Sequence, residues 1–126
     1  DSSVSWGGKR SYGDQELSDW IMEFSPTLVL SGHVHQAPFV SGGGWVDRIA
    51  NTWVFNMGQQ LGEAPTHVII DTEAGGAAWF SLAGRERVYL RDQEAAPERI
   101  IDLPDWIRVA DRAPSSAAER AMPGAA

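Results

Sequence analysis

The feature that most constrains this chain is a short, unbroken apolar run, Thr27-Leu28-Val29-Leu30, set between a helix stop and a histidine pair. Upstream of it, Leu17, Trp20, Ile21 and Phe24 recur at three- and four-residue spacing. That spacing predicts a helix over 14–24 with one apolar face, and it puts Trp20 in the core. Asp14 is placed to cap the helix, and Glu16 favours its positive N-terminal end. Ser25-Pro26 ends it, because the residue before proline is driven out of helical geometry. A run apolar at every position is the pattern of a strand covered on both faces. Residues 27–30 therefore need neighbours on both sides.

Residues 1–13 read as a loop or extended lead-in, and Gly42-Gly43-Gly44 as part of a flexible loop. Further strands are predicted at 51–56, 66–71 and 77–82, the last two joined as a hairpin across 72–76. Weaker strand signals follow at 87–90 and 99–101, and a short helix at 104–107. The organisation expected is one domain, or part of one, over 1–113 with a disordered Ala/Ser/Pro/Gly tail over 114–126. The fold class is α/β, with mostly antiparallel strands after the histidines.

Charge narrows the function classes. Ten basic against seventeen acidic residues leave a net charge of −7. Such a surface repels nucleic-acid backbones and anionic membranes, so neither is an expected partner. No apolar run approaches the length of a membrane span, and a cytoplasmic location is the default expectation. The absence of cysteine excludes disulfides, thiolate metal sites and cysteine nucleophiles.

Candidate chemistry concentrates in Ser31-Gly32-His33-Val34-His35. Two of the three histidines lie two residues apart, directly after the apolar run. If extended geometry persists through Val34, both imidazoles point to one side with Cβ atoms about 6–7 Å apart. That separation is wide for one small ion and comfortable for two, since paired ions in hydrolytic sites sit about 3.5–4 Å apart. Gly32 would allow a sharp exit from the strand and a close backbone approach. His67 opens a strand among apolar neighbours and reads as structural or surface. Asp14, Asp47 and Asp71 could lie near a metal, but no spacing singles one out.

The segment 28–35 resembles the last signature of calcineurin-like metallophosphoesterases, an apolar strand running into Gly-His-x-His. Val54-Phe55-Asn56-Met57-Gly58 is similar to the strand ending in Asn-x-Gly that follows in that family, and the hairpin over 66–82 to its next strand pair. The helix over 14–24 looks like the family's helix before the signature strand. The resemblance implies a four-layer α/β/β/α sandwich, of which this chain is the C-terminal half. It implies two divalent metal ions (Mn, Fe, Zn or Mg), with His33 binding one and His35 the other. The metals would clamp a phosphoester and lower the pKa of a bound water, whose hydroxide attacks phosphorus. Asn56, Gly58 and Trp45 become candidates for the substrate pocket. The family's Asp-x-His and Gly-Asn-His do not occur here, nor does any histidine before His33. The Gly13-Asp14 pair sits at a helix start, not at a strand end, and is not taken as the family's bridging aspartate. The resemblance therefore implies a partner, the N-terminal half of the same domain, and little or no activity without it.

Two other readings compete. A cupin-type single-metal barrel also uses His-x-His, but it expects a glutamate where Phe39 and Val40 stand. A non-catalytic, acidic, Trp-rich β module would use some of the six tryptophans to recognise a sugar or a protein. Trp6 and Trp45, in Gly-rich loops, are the ones placed to stack on a ligand. Packing is the first use expected of them.

Overall fold

A computed structural model describes residues 2–92 and 94–100 of the chain. The predicted helix over 104–107 and the tail over 114–126 lie outside the described residues. Helix α1 spans Gln15–Phe24, with the Asp14 carboxylate accepting from the Leu17 amide at 3.1 Å. It ends where Ser25 takes a left-handed φ of 47°, directly before Pro26.

Strand β1 (Leu28–Ser31) pairs in parallel with β3 (Thr52–Asn56), and β2 (Val46–Ile49) pairs with β3 antiparallel. The sheet order is therefore β1-β3-β2. The sequence reading missed β2, because Val46-Asp47-Arg48-Ile49 does not alternate apolar with polar residues. A second, wholly antiparallel sheet runs β4 (His67–Asp71), β5 (Gly76–Ser81), β6 (Gly84–Tyr89), β7 (Glu98–Arg99) in order. The predicted hairpin is β4–β5, closed by the Asp71 carboxylate, which accepts from the Glu73 and Ala74 amides.

The alternation of β3 divides the core. Trp53 and Phe55 point to one face and join Trp45 and Val46 against Ala77, Trp79 and Val88 of the second sheet. Val54 points to the other face and meets Val4 and Ile21, with Val29 and Ile49 beside them. The described residues thus make three layers: α1 with the N-terminal segment, the mixed sheet, and the antiparallel sheet.

Three expectations need correction. The apolar run is not covered on both faces. Among the described residues β1 is an edge strand, and Leu30 is 64% exposed. On α1 only Ile21 is buried, while Trp20 is 51% exposed, because the helix touches the sheet along a narrower stripe than its apolar spacing allows. The Gly42–Gly44 stretch is not an open spacer, since a Cβ on Gly43 would overlap the Ala37 carbonyl. Trp6 closes the same loop by donating to the Ser41 carbonyl at 3.0 Å. Among the described residues no helix is long and apolar enough to cross a membrane.

Candidate functional site

The histidine loop begins where β1 stops. Ser31 is the last residue in register, opposite Asn56 of β3. The predicted extended continuation does not occur. His33 has a φ of 75°, and the Val34 amide donates to the Gly32 carbonyl across it at 3.0 Å. An i→i+2 bond around a positive φ is a tight three-residue turn of the rare, strained kind. Gly32 is not the residue that makes the exit. It has no positive φ, and nothing lies within 4 Å of where its Cβ would be. The left-handed geometry falls on His33, a residue that pays a steric penalty for it.

The loop is held from behind. Val34, between the histidines, is 6% exposed, and its carbonyl accepts from the Asn56 carboxamide at 2.8 Å. The second Asn56 amide hydrogen goes to the Val4 carbonyl at 2.9 Å, and Oδ1 accepts from the Gly58 amide at 3.0 Å. The His35 carbonyl accepts from the Gln59 amide at 3.0 Å. A Cβ on Gly58 would stand 2.8 Å from that carbonyl and 2.7 Å from Cγ of Pro38, and its φ is 70°. Thr66 fastens the same segment through a 2.6 Å bond from Oγ1 to the Gly58 carbonyl.

With Val34 anchored, His33 and His35 are both exposed. Among the described residues, no side-chain hydrogen bond, ion pair or ring contact engages either imidazole. Both line an open cavity of about 390 Å³ together with Asn56, Gly58, Gln59 and Glu63. His67 is engaged elsewhere, stacked on Phe80 at 4.8 Å between ring centroids with Nδ1 3.1 Å from the Pro65 carbonyl.

Of the pocket candidates, Trp45 is corrected. It is 2% exposed and stacks on Trp79 at 6.2 Å and 9°, with Nε1 donating to Glu86, so no face is left for a substrate. Asn56 is 1% exposed and fully hydrogen-bonded, so it supports the cavity wall from inside. Gly58 lies at the wall by close packing. Sequence reasoning missed Gln59, Glu63 and Thr66, which lie in or end the connector after Gly58. Their position directly after the Asn-x-Gly strand was the available signal. The candidate aspartates have structural work: Asp14 caps α1, Asp71 caps the β4–β5 turn, and Asp47 accepts from Ser2 Oγ at 2.7 Å and the Ser3 amide at 2.8 Å.

Imidazole suits divalent transition metals, and two exposed rings on one anchored loop fit that chemistry in part. Among the described residues, no group of three or more His, Cys, Asp or Glu is placed to hold a metal ion. The described residues therefore do not make a dinuclear centre by themselves. Compared with known proteins, the chain matches no family model, no curated protein and no solved structure.

Proposed function

We propose that this chain supplies the C-terminal metal-ligand segment of a dinuclear-metal phosphoesterase, with His33 and His35 as its ligands. The observation that carries the reading is the strained turn at His33. A non-glycine residue held at a φ of 75° by a buried support is an arrangement that costs stability and gathers at functional sites. Among the described residues, no side-chain partner engages the imidazoles of His33 and His35. The ions, two of Mn, Fe, Zn or Mg, would act as Lewis acids on a phosphorylated small molecule or other phosphoester.

The carboxylates such a centre needs come, on this reading, from the N-terminal half of the domain. The fold has a place for it. Among the described residues β1 presents an unpaired edge with exposed Leu30, and a parallel pair is stable when its strands are flanked and covered. The three described layers would then be part of a four-layer α/β/β/α sandwich in a cytoplasmic enzyme. The Trp-rich binding-module reading gains no support from the three tryptophans of the core, whereas Trp20 is 51% exposed. Trp45, Trp53 and Trp79 are 2%, 4% and 3% exposed, which leaves no pair of exposed rings among them.

The test is hydrolysis of p-nitrophenyl phosphate and bis(p-nitrophenyl) phosphate by the natural polypeptide containing this chain, with and without added Mn²⁺ or Zn²⁺. Metal-dependent turnover that falls at least about 100-fold in both His33→Ala and His35→Ala is expected, as second- and first-contact metal residues typically show. Unchanged turnover and metal content in both variants would overturn the reading.

A further inference from the structure

We infer that Asn56 is the positioning residue of the histidine loop: its buried carboxamide fixes the strained turn at His33 and so sets where both imidazoles stand. The inference deepens the metal-ligand reading and rests on it for the purpose of the turn, though not for the turn's existence.

Asn56 closes β3 directly opposite Ser31, the residue at which β1 gives way to the loop. Its side chain meets three segments at once. Nδ2 donates to the Val34 carbonyl at 2.8 Å and to the Val4 carbonyl at 2.9 Å, while Oδ1 accepts from the Gly58 amide at 3.0 Å. A carboxamide has two donor hydrogens and one carbonyl, and all three are used. No aspartate or leucine of similar size could make these bonds, since neither donates. At 1% exposure, water cannot replace the lost donors.

The bond to Val34 is the decisive one. Val34 is the residue between the histidines, and its own amide closes the turn around His33. Holding its carbonyl fixes the peptide plane after it, and the buried Val34 side chain fixes the residue itself. Left to local preference, His33 would leave the positive-φ region. The Gln59 amide on the His35 carbonyl, and the contact of Gly58 with Pro38, complete the template on the far side of His35. The loop is thus laid against 56–59 and shaped by Asn56 from beneath, while the imidazoles face the cavity.

The experiment compares Asn56→Ala, and Asn56→Ser as a milder variant that keeps one donor, with Thr52→Val. Thr52 is equally buried at the other end of β3, and its Oγ1 donates to the Pro26 carbonyl at 2.6 Å. Thr52→Val therefore reports what loss of a buried bond in the same strand does to stability alone. Two readouts on the full chain separate positioning from stability. The first is the intraresidue amide–Hα NOE of His33, which is strong at positive φ. The second is Co²⁺ titration followed by its visible spectrum. The Asn56 variants are expected to lose the strong NOE and to bind Co²⁺ at least about tenfold more weakly, the usual scale for groups that orient a ligand. Thr52→Val is expected to keep both. An unchanged His33 NOE in folded Asn56→Ser, or equal loss in Thr52→Val, would overturn the inference. If the unmodified natural polypeptide containing this chain binds no Co²⁺ while the NOE depends on Asn56, the metal-ligand reading fails and the positioning stands.

Discussion

Gly58 and Pro38 pack so closely that a single added carbon on Gly58 would lie 2.7 Å from Cγ of Pro38. This contact joins the end of the β3 extension to the far side of the histidine loop, and Gly58 reaches it with a φ of 70°. The position tolerates no side chain on either account. Gly58→Ala should destabilise the fold by about 2–4 kcal/mol, combining left-handed strain with overpacking. Gly32→Ala, with open space around it, should stay within about 0.5 kcal/mol. Urea unfolding of both variants measures the contrast, and equal costs would contradict the geometry of the loop.

His33 carries the strain that Gly32 was expected to absorb. Replacing His33 with glycine should therefore stabilise the chain, by about 0.5–1 kcal/mol, because glycine takes positive φ without penalty. The same change should remove metal binding. A gain in stability with a loss of function is the signature of strain kept for a purpose. A destabilised His33→Gly variant would show that the ring contributes packing that the structure does not display.

The indoles divide sharply between core and surface. Trp45→Ala removes a ring stacked on Trp79 and packed near Phe55, and should cost about 3–5 kcal/mol. Trp20→Ala, on the half-exposed face of α1, should cost less than about 1 kcal/mol. Thermal unfolding of the two variants distinguishes them, and comparable losses would restore Trp20 to the core.

The open edge of β1 predicts self-association. A strand edge unpaired among the described residues and carrying an exposed Leu30 is a template for further pairing, and a lysine there blunts it. Leu30→Lys should lower the sedimentation-derived mass of concentrated samples while leaving unfolding stability within about 0.5 kcal/mol. Association that persists unchanged in the variant would place the sticky surface elsewhere.

Local signals in the sequence were reliable where local chemistry decides the outcome. The Asp14 cap, the Ser25-Pro26 stop and the β4–β5 hairpin follow from capping and turn rules that act over a few residues. Which face of an element is covered depends on residues far away. The apolar run 27–30 looks doubly buried, yet it lies at an edge among the described residues, and the α1 stripe is apolar without being covered. The candidate site was read from a pair of histidines with an Asn-x-Gly strand behind them. Its geometry was not. The turn at His33 is tied to the Asn56–Val34 bond, across 22 positions, and the weak local tolerance of histidine for positive φ does not locate it.

The most direct test of the central claim uses the three histidines against one another. Zn²⁺ is added stoichiometrically to the natural polypeptide containing this chain, and the imidazole nitrogens of these three histidines are followed by long-range ¹H–¹⁵N correlation. His33 and His35 line the cavity and have no side-chain partner among the described residues, whereas His67 is stacked on Phe80. The account predicts that ring nitrogens of His33 and His35 shift together while those of His67 do not. Shifts of all three alike, or none at His33 and His35, would contradict it.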